Sequence, residues 1–346
     1  MTTAAPIELS LDDARWATYA AEHPDATIFH TPAWSRAVAE TYDFRAFGLG
    51  LAESGRLVGL VPVVEVAGVL RQRRWVSLPF TDVLPLLVDR SEDEAMLVQA
   101  LEGARTSAGI ATLDLRTAVT DAQQHEAGVQ HVLALPSNPE ELRAGFSTQT
   151  ARNIRKAERE GLTARIGTGR EDLVERYFAL HVATRRRLGV PSQPRRFFER
   201  LWENVFEPGH GFVMFAERDG EAAGAAVFLT ESRTLMYKYS ASSPSLRQLR
   251  PNHLILWTAM QEAVARGCTE LNFGRSELEH AGLRAFKSSW GAEERPLVYS
   301  RLGAAAAHGA SAAGRGAAGK LAAVAIRRSP PVVCRSLGRL FYRFAA

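Results

Sequence analysis

Between Tyr237 and Trp290 the chain gathers the residue types best suited to transfer chemistry. The segment YKYSAS (237–242) reads as a strand that carries Lys238 between two tyrosines, Tyr237 and Tyr239. SLRQLRPNHLILW (245–257) follows, a loop with Arg247 and Arg250 that runs into a helix. Pro251 fits the first helical position, or Asn252 caps. Either way, unpaired backbone N–H groups and the positive end of the helix dipole face two arginines. That is an anion site, suited to the phosphates of a donor molecule. The alternative is a polar loop that only caps a helix. LNFGRS (271–276) then places Arg275 and Ser276 at the C-terminal edge of a strand, where α/β sheets bind ligands. In LRAFKSSWG (283–291), Lys287 and Trp290 fall on a short helix and turn; taken alone, Lys287 also reads as a solvated surface lysine.

Other chemistries lack their motifs. Of the nine histidines, His30, His125, His131, His181, His210, His253 and His280 show no i, i+4 pairing, so no metal site is expected. No G-x-S-x-G elbow and no Walker A loop occur. The two cysteines, Cys268 and Cys334, exclude a disulfide-built scaffold, and Cys334 sits among apolar residues as a packed thiol. Met1–Asp13 has no apolar core of a signal peptide, and no apolar run is long enough to span a bilayer. A cytoplasmic protein is expected, with peripheral contact at the inner membrane face kept open.

The net charge of +4 hides a division. After Glu294 there is no acidic residue, and nine basic ones occur: Arg295, Arg301, Arg315, Lys320, Arg327, Arg328, Arg335, Arg339 and Arg343. The preceding 294 residues carry 33 basic against 38 acidic side chains, so a globally basic nucleic-acid binder is excluded.

The elements that must position these residues occur twice. Residues 47–63 and 212–229 each read as a hairpin, with Gly55 and Gly59 matching Gly220 and Gly224 at an offset of 165. A helix precedes each, over Pro32–Tyr42 and Arg195–Phe206. A helix follows each, over Asp93–Ser107 and Asn252–Arg266, leading to strands at Ala111–Leu115 and Thr269–Phe273. The reading is an α/β fold of two similar domains, mixed sheets flanked by helices: 1–135, a degenerate first copy; 136–302, with the active cleft; and a 303–346 tail. Glu140–Glu160 reads as one basic helix capped by Gly161. Gly303–Gly319 is an Ala/Gly-rich linker or weak helix. Beyond it Val333, Leu337, Leu340, Phe341 and Phe344 share one helical face, with Arg335, Arg339 and Arg343 on another. This tail could dock on its own protein, lie on an anionic membrane, or touch RNA.

YKYSAS, LRPNHLILW, LNFGRS and FKSSWG, with HTPAW (30–34) and RNIRKAEREG (152–161), resemble the FemAB-type peptidoglycan-bridge aminoacyltransferases and the acetyltransferase-like domains of polysaccharide biosynthesis, over roughly residues 25–300. The resemblance implies tandem GNAT-like domains and N-acyl transfer to an amine, with no resident cofactor and acyl-CoA or aminoacyl-tRNA as co-substrate. It makes Lys287 the catalytic residue, stabilising a developing oxyanion. Its removal should then lower turnover with little change in stability. It implies that Asp82, in PFTD (79–82), orients the acceptor amine, and that Arg247, Arg250 and Asn252 hold the donor phosphates. Tyr237, Lys238, Arg275, Ser276 and Trp290 would line the substrate cleft, with Glu270 and His253 as reserve bases. Positioning suffices if the amine arrives neutral. The family's long helical arm is absent here, and with the acidic body this favours acyl-CoA. Arg152–Arg159, Arg185–Arg187 and Arg195–Arg196 are the patches that tRNA would use. The implied acceptor is an amino sugar or peptide of the cell envelope; the rival reading is a non-catalytic docking component of an envelope or polysaccharide assembly.

Overall fold

Two hairpins with the same turn and the same irregularity organise the protein, described by a computed structural model over residues 4–67, 72–303, 317–330 and 342. Both turns are two-residue loops with both central residues left-handed, Ser54-Gly55 (φ 51° and 84°) and Asp219-Gly220 (φ 53° and 79°). That conformation matches the right-handed twist of the flanking strands, and glycine at its second position adopts it without strain. Each hairpin then slips register by one residue, leaving Val58 in the first and Ala223 in the second as the extra residue of a bulge. These two positions are again 165 apart.

The structure divides into two units. The first comprises residues 4–127, 297–303 and 342. It runs β1 (Ala5–Leu9), α1 (Ala14–Glu22), α2 (Pro32–Tyr42), β2 (Arg45–Glu53), β3 (Arg56–Ala67), β4 (Arg73–Val76), β5 (Leu87–Val88), α3 (Ser91–Ser107) and β6 (Thr112–Leu115). The strands pair in the order β1-β2-β3-β4-β6, and the strand Glu293–Gly303 closes the row through Ser300–Gly303. β4 and β6 run parallel; β5 lies against Gly59 and Leu60 of β3. Trp16, Leu9, Leu57, Leu60 and Leu87 form a core on one face, and the Trp16 indole donates to the His30 carbonyl at 2.6 Å.

The second unit comprises residues 128–296 and 317–330. Here β7 (Gln123–Ala134) leads through α4 (Leu142–Gly145), α5 (Thr148–Arg159), β8 (Thr163–Ile166), α6 (Phe178–Leu188) and α7 (Arg195–Leu201). Next come the hairpin β9 (Gly211–Arg218) and β10 (Glu221–Glu231), then β11 (Thr234–Ser242), α8 (Pro251–Ala265), β12 (Glu270–Ser276), α9 (Ala281–Ser288) and α10 (Ala317–Arg328). Strand order is β7-β12-β11-β10-β9-β8, with β11 and β12 parallel. Helix α8 is apolar nearly all round and buries Leu254, Ile255, Leu256, Trp257 and Met260 in the main core. The fold is therefore α/β with mixed sheets, built on one plan used twice.

One expectation is corrected. The single helix over Glu140–Glu160 is broken after Gly145: Ser147 turns extended and its Oγ accepts the Thr150 N–H at 3.1 Å, capping α5. The tail does form a helix before residue 331, since α10 packs on α6, where Arg186 Nε donates to the Ser329 carbonyl at 2.6 Å. The apolar face proposed for Val333–Phe344 lies outside the described residues, as do most of Gly303–Gly319 and Cys334. Among the described residues no helix is long and apolar enough to cross a membrane.

Candidate functional site

The parallel pairing of β11 with β12 is confined to Thr234–Met236 against Glu270–Asn272. Beyond that point β11 stays on β10 as far as Ser242, while β12 stays on β7, with which it pairs from Glu270 through Ser276. Both strands bulge where they part. On β11 the extra residue is Lys238, set between Tyr239 and Tyr237 in the pairing with Val227 and Phe228. On β12, Phe273 and Gly274 together face the single residue His131, with Gly274 left-handed at φ 68°. Bulges of this kind re-aim side chains and end pairing beside active sites.

At the C-terminal end of β11 lies a cleft of about 490 Å³ lined by Arg187, Ser242, Arg247, Gln248, Arg250 and Asn252. A smaller pocket of about 120 Å³ shares Ser242, Arg247, Arg250 and Asn252 and adds Pro251, His253 and Phe286. The first turn of α8 is the wall common to both. Arg250 sits at its N-cap with φ 66°, a left-handed conformation that costs a non-glycine residue on the order of 1 kcal/mol. Pro251 follows at the first helical position, no side chain caps the helix, and its first turn holds no acid. Among the described residues no carboxylate pairs with Arg187, Arg247 or Arg250. Helix dipole and guanidinium charge therefore both face the cleft. Arg187 arrives there because Thr184, one turn earlier on α6, accepts the Ser242 N–H at 3.1 Å and joins α6 to the end of β11.

Behind this turn a chain of amides fixes a histidine. Gln149 Nε2 donates to Asn153 Oδ1 at 2.9 Å, and Asn153 Nδ2 donates to His253 Nε2 at 3.0 Å. Acceptance at Nε2 assigns the proton of the neutral ring to Nδ1. Burial, and next the charge of Arg250, push the His253 pKa down to about 4, so the ring is neutral at physiological pH. Its faces are held by Phe286 and Trp290, with ring centroids 5.6 and 5.7 Å away.

Arg247, Arg250 and Asn252 thus come together in one cleft, and Lys238 marks the bulge of the strand that leads into it. Trp290 is fully buried beneath, edge-on to Phe146 and Phe286 and tilted against His253. Other candidates lie elsewhere. Lys287 is buried, and its Nζ donates to the carbonyls of Gly274 and Arg275 at 2.7 and 3.1 Å, holding the β12 bulge rather than lining the cleft. Tyr237 packs between Phe228 and Phe273, and its burial raises its pKa to about 12. Arg275 stands 3.8 Å from Glu277, and Ser276 is buried in the pairing with Val129. Asp82 belongs to the first unit, where its carbonyl accepts the Tyr299 hydroxyl. Glu270 opens β12 opposite Thr234, about 25 Å along the strand from Ser242, and cannot act in the cleft.

Arg187, Ser242, Gln248, Asn153 and Phe286 were not singled out for the site. The run Arg185–Arg187 was visible, but its place beside the cleft depends on a contact between elements 58 residues apart.

Comparison with known proteins agrees with this architecture. A model of the acetyltransferase (GNAT) domain matches residues 144–321. The lipid II:glycine glycyltransferase of Staphylococcus aureus is 37% identical over 75 residues, which cover 20% of this chain and 18% of that protein. The match therefore spans about a fifth of the relative's length. The crystal structure of FemX superposes with a TM-score of 0.70 at 15% identity, over 85% of this chain and 96% of that one. A tandem GNAT protein from the clavulanic acid biosynthesis pathway gives 0.51 at 13% identity, over 88% and 100%.

Proposed function

This chain belongs to the GNAT acetyltransferase family and is an acyltransferase, and from that premise we propose that it transfers an acyl group from acyl-CoA to an amine. The pyrophosphate of the donor sits on the first turn of α8, against Arg247, Arg250 and Arg187. One observation carries this reading: an uncapped, acid-free helix start, flanked by arginines with no carboxylate partner among the described residues, opens at the end of β11, beyond the point where β11 and β12 part. The acyl arm then runs into the gap between the strands, past the Lys238 bulge.

In the reaction the amine lone pair attacks the thioester carbonyl. The C–N bond forms, the C–S bond breaks, and the proton lost by the amine balances the thiolate released. An amine that arrives neutral needs orientation more than a base. His253, with Nε2 engaged by Asn153, acts through its Nδ1 proton as a donor in the pocket, not as the base. Lys287 is a positioning residue: it locks the β12 bulge that keeps the strands apart.

The acceptor we propose is an amine of a cell-envelope precursor, in line with the lipid II:glycine glycyltransferase. Aminoacyl-tRNA is the second reading of the donor, favoured by one feature. Arg152, Arg155, Lys156 and Arg159 follow one face of α5 over about 10 Å, with no carboxylate partner among the described residues. Calorimetric titration with coenzyme A, and separately with charged and uncharged tRNA, tests both. Saturable coenzyme A binding that Arg250→Glu removes supports the first. Binding of tRNA alone selects the second, and binding of neither leaves a docking component.

A further inference from the structure

Large apolar side chains are rarely exposed in this protein; among the described residues they are Leu188, Leu278, Leu283 and Val324. Two of them meet at one edge. Leu188 ends α6 and is 50% exposed, and Val324 lies on α10 and is 42% exposed. The helices touch between them: a Cβ on Gly189 would stand 2.8 Å from the Ala323 carbonyl, so only glycine allows this approach, and its φ of 76° requires glycine as well. Arg327 reaches the Leu188 carbonyl at 3.4 Å.

Cations surround this pair. Arg187, Arg327 and Arg328 are exposed, and among the described residues none has a carboxylate partner. The contrast lies in the same unit, where Arg165 and Arg176 are both paired with Asp172 and Glu217. No acidic residue follows Glu294 to neutralise the edge. Aliphatic side chains ringed by arginines suit a bilayer surface, the first entering the acyl boundary and the second meeting lipid phosphates. A nucleic acid would use the cations but gain nothing from an exposed leucine and valine.

We propose that the α6–α10 edge is a contact site for an anionic lipid surface. Arg187 belongs both to this edge and to the cleft wall, so contact with the membrane brings the cleft to its surface. Only that purpose rests on the proposed transfer reaction; the contact itself is independent of it.

The test is sedimentation of the full chain with vesicles of phosphatidylcholine alone and of phosphatidylcholine with phosphatidylglycerol, at low and high salt. Binding is expected only with phosphatidylglycerol and weakens with salt. Leu188→Ser with Val324→Ser, and separately Arg327→Glu with Arg328→Glu, should each weaken it about tenfold, with the coenzyme A titration unchanged. Equal binding to both vesicle types, no binding, or double variants that bind like the parent overturns the proposal. So does tRNA binding that falls with the arginine pair while vesicles are ignored. Loss of coenzyme A binding with vesicle binding intact would instead overturn the donor assignment alone.

Discussion

Helices α3 and α8 hold the same place in their two units, each after the hairpin and before a strand parallel to an earlier one, and each has an arginine at its N-cap. The residues after that arginine differ. In α3 the first turn is Ser91, Glu92, Asp93 and Glu94, and Arg90 is clamped to the Asp93 carboxylate through two 2.9 Å hydrogen bonds. The helix dipole and the cation are both satisfied from within. In α8 the first turn is Pro251, Asn252 and His253, and Arg250 is turned left-handed with no acid to meet it among the described residues. The approach differs too. Two residues, Asp89 and Arg90, separate β5 from α3, whereas eight separate β11 from α8 and carry Arg247 in an extra turn. The same plan gives two helix starts; loop length and three acidic side chains close one from within and leave the other open.

The largest effect should come from removing the open site. Arg247→Glu together with Arg250→Glu should weaken coenzyme A binding at least a hundredfold, since charge-assisted contacts to phosphate are replaced by repulsion, about 3 kcal/mol or more. Both side chains are exposed, so the melting temperature should hold. Unchanged affinity by calorimetry would break the contrast between the two helices. Lys287→Met should come next, and in a different currency. Leaving the Gly274 and Arg275 carbonyls without their donor should cost about 2 kcal/mol in urea unfolding. A fall in turnover at unchanged stability would support the direct role expected for Lys287 from its motif.

Much of the plan was legible from residues alone. Glycine at the second turn position and the repeated spacing gave both hairpins, and an apolar run behind Pro251 gave α8. That Arg247, Arg250 and Asn252 gather at one helix start was readable because a helix start is a local feature. The surroundings of Lys287 and Tyr237 were not readable, because a lysine's motif does not say whether its ammonium meets solvent, substrate or a carbonyl. That depended on the β12 bulge, which appears only when β12 pairs with β7, more than 130 residues earlier. Asn153 was hidden for the same reason: its partner His253 lies 100 residues away.

The closed helix offers a smaller test. Asp93→Asn should destabilise the protein by about 1–2 kcal/mol, since a buried carboxylate loses its ion pair with Arg90. Coenzyme A affinity and stoichiometry should stay as they are. A second binding site appearing in this variant would mean that Asp93 alone closes the first unit's helix.

The smallest effect concerns pH. His253 is held at about 4 in the folded protein against an ordinary value near 6.5. Between those values the unfolded chain binds a proton that the folded chain refuses, so stability falls as pH drops from about 6.5 towards 4 and is fully present above that window. His30 and His181, pushed down to about 4 and about 3 by burial, add to the same slope. His253→Gln should therefore make the slope shallower without abolishing it, as read from urea unfolding at successive pH values. In the parent protein the His253 ring should also stay neutral by NMR from pH 8 down to 5.5. A ring that titrates near 6.5 would show that burial and Arg250 do not act on it as the structure has it, whereas a neutral ring whose nitrogen shifts place the proton on Nε2 would remove the Asn153 hydrogen bond and with it the donor role of Nδ1.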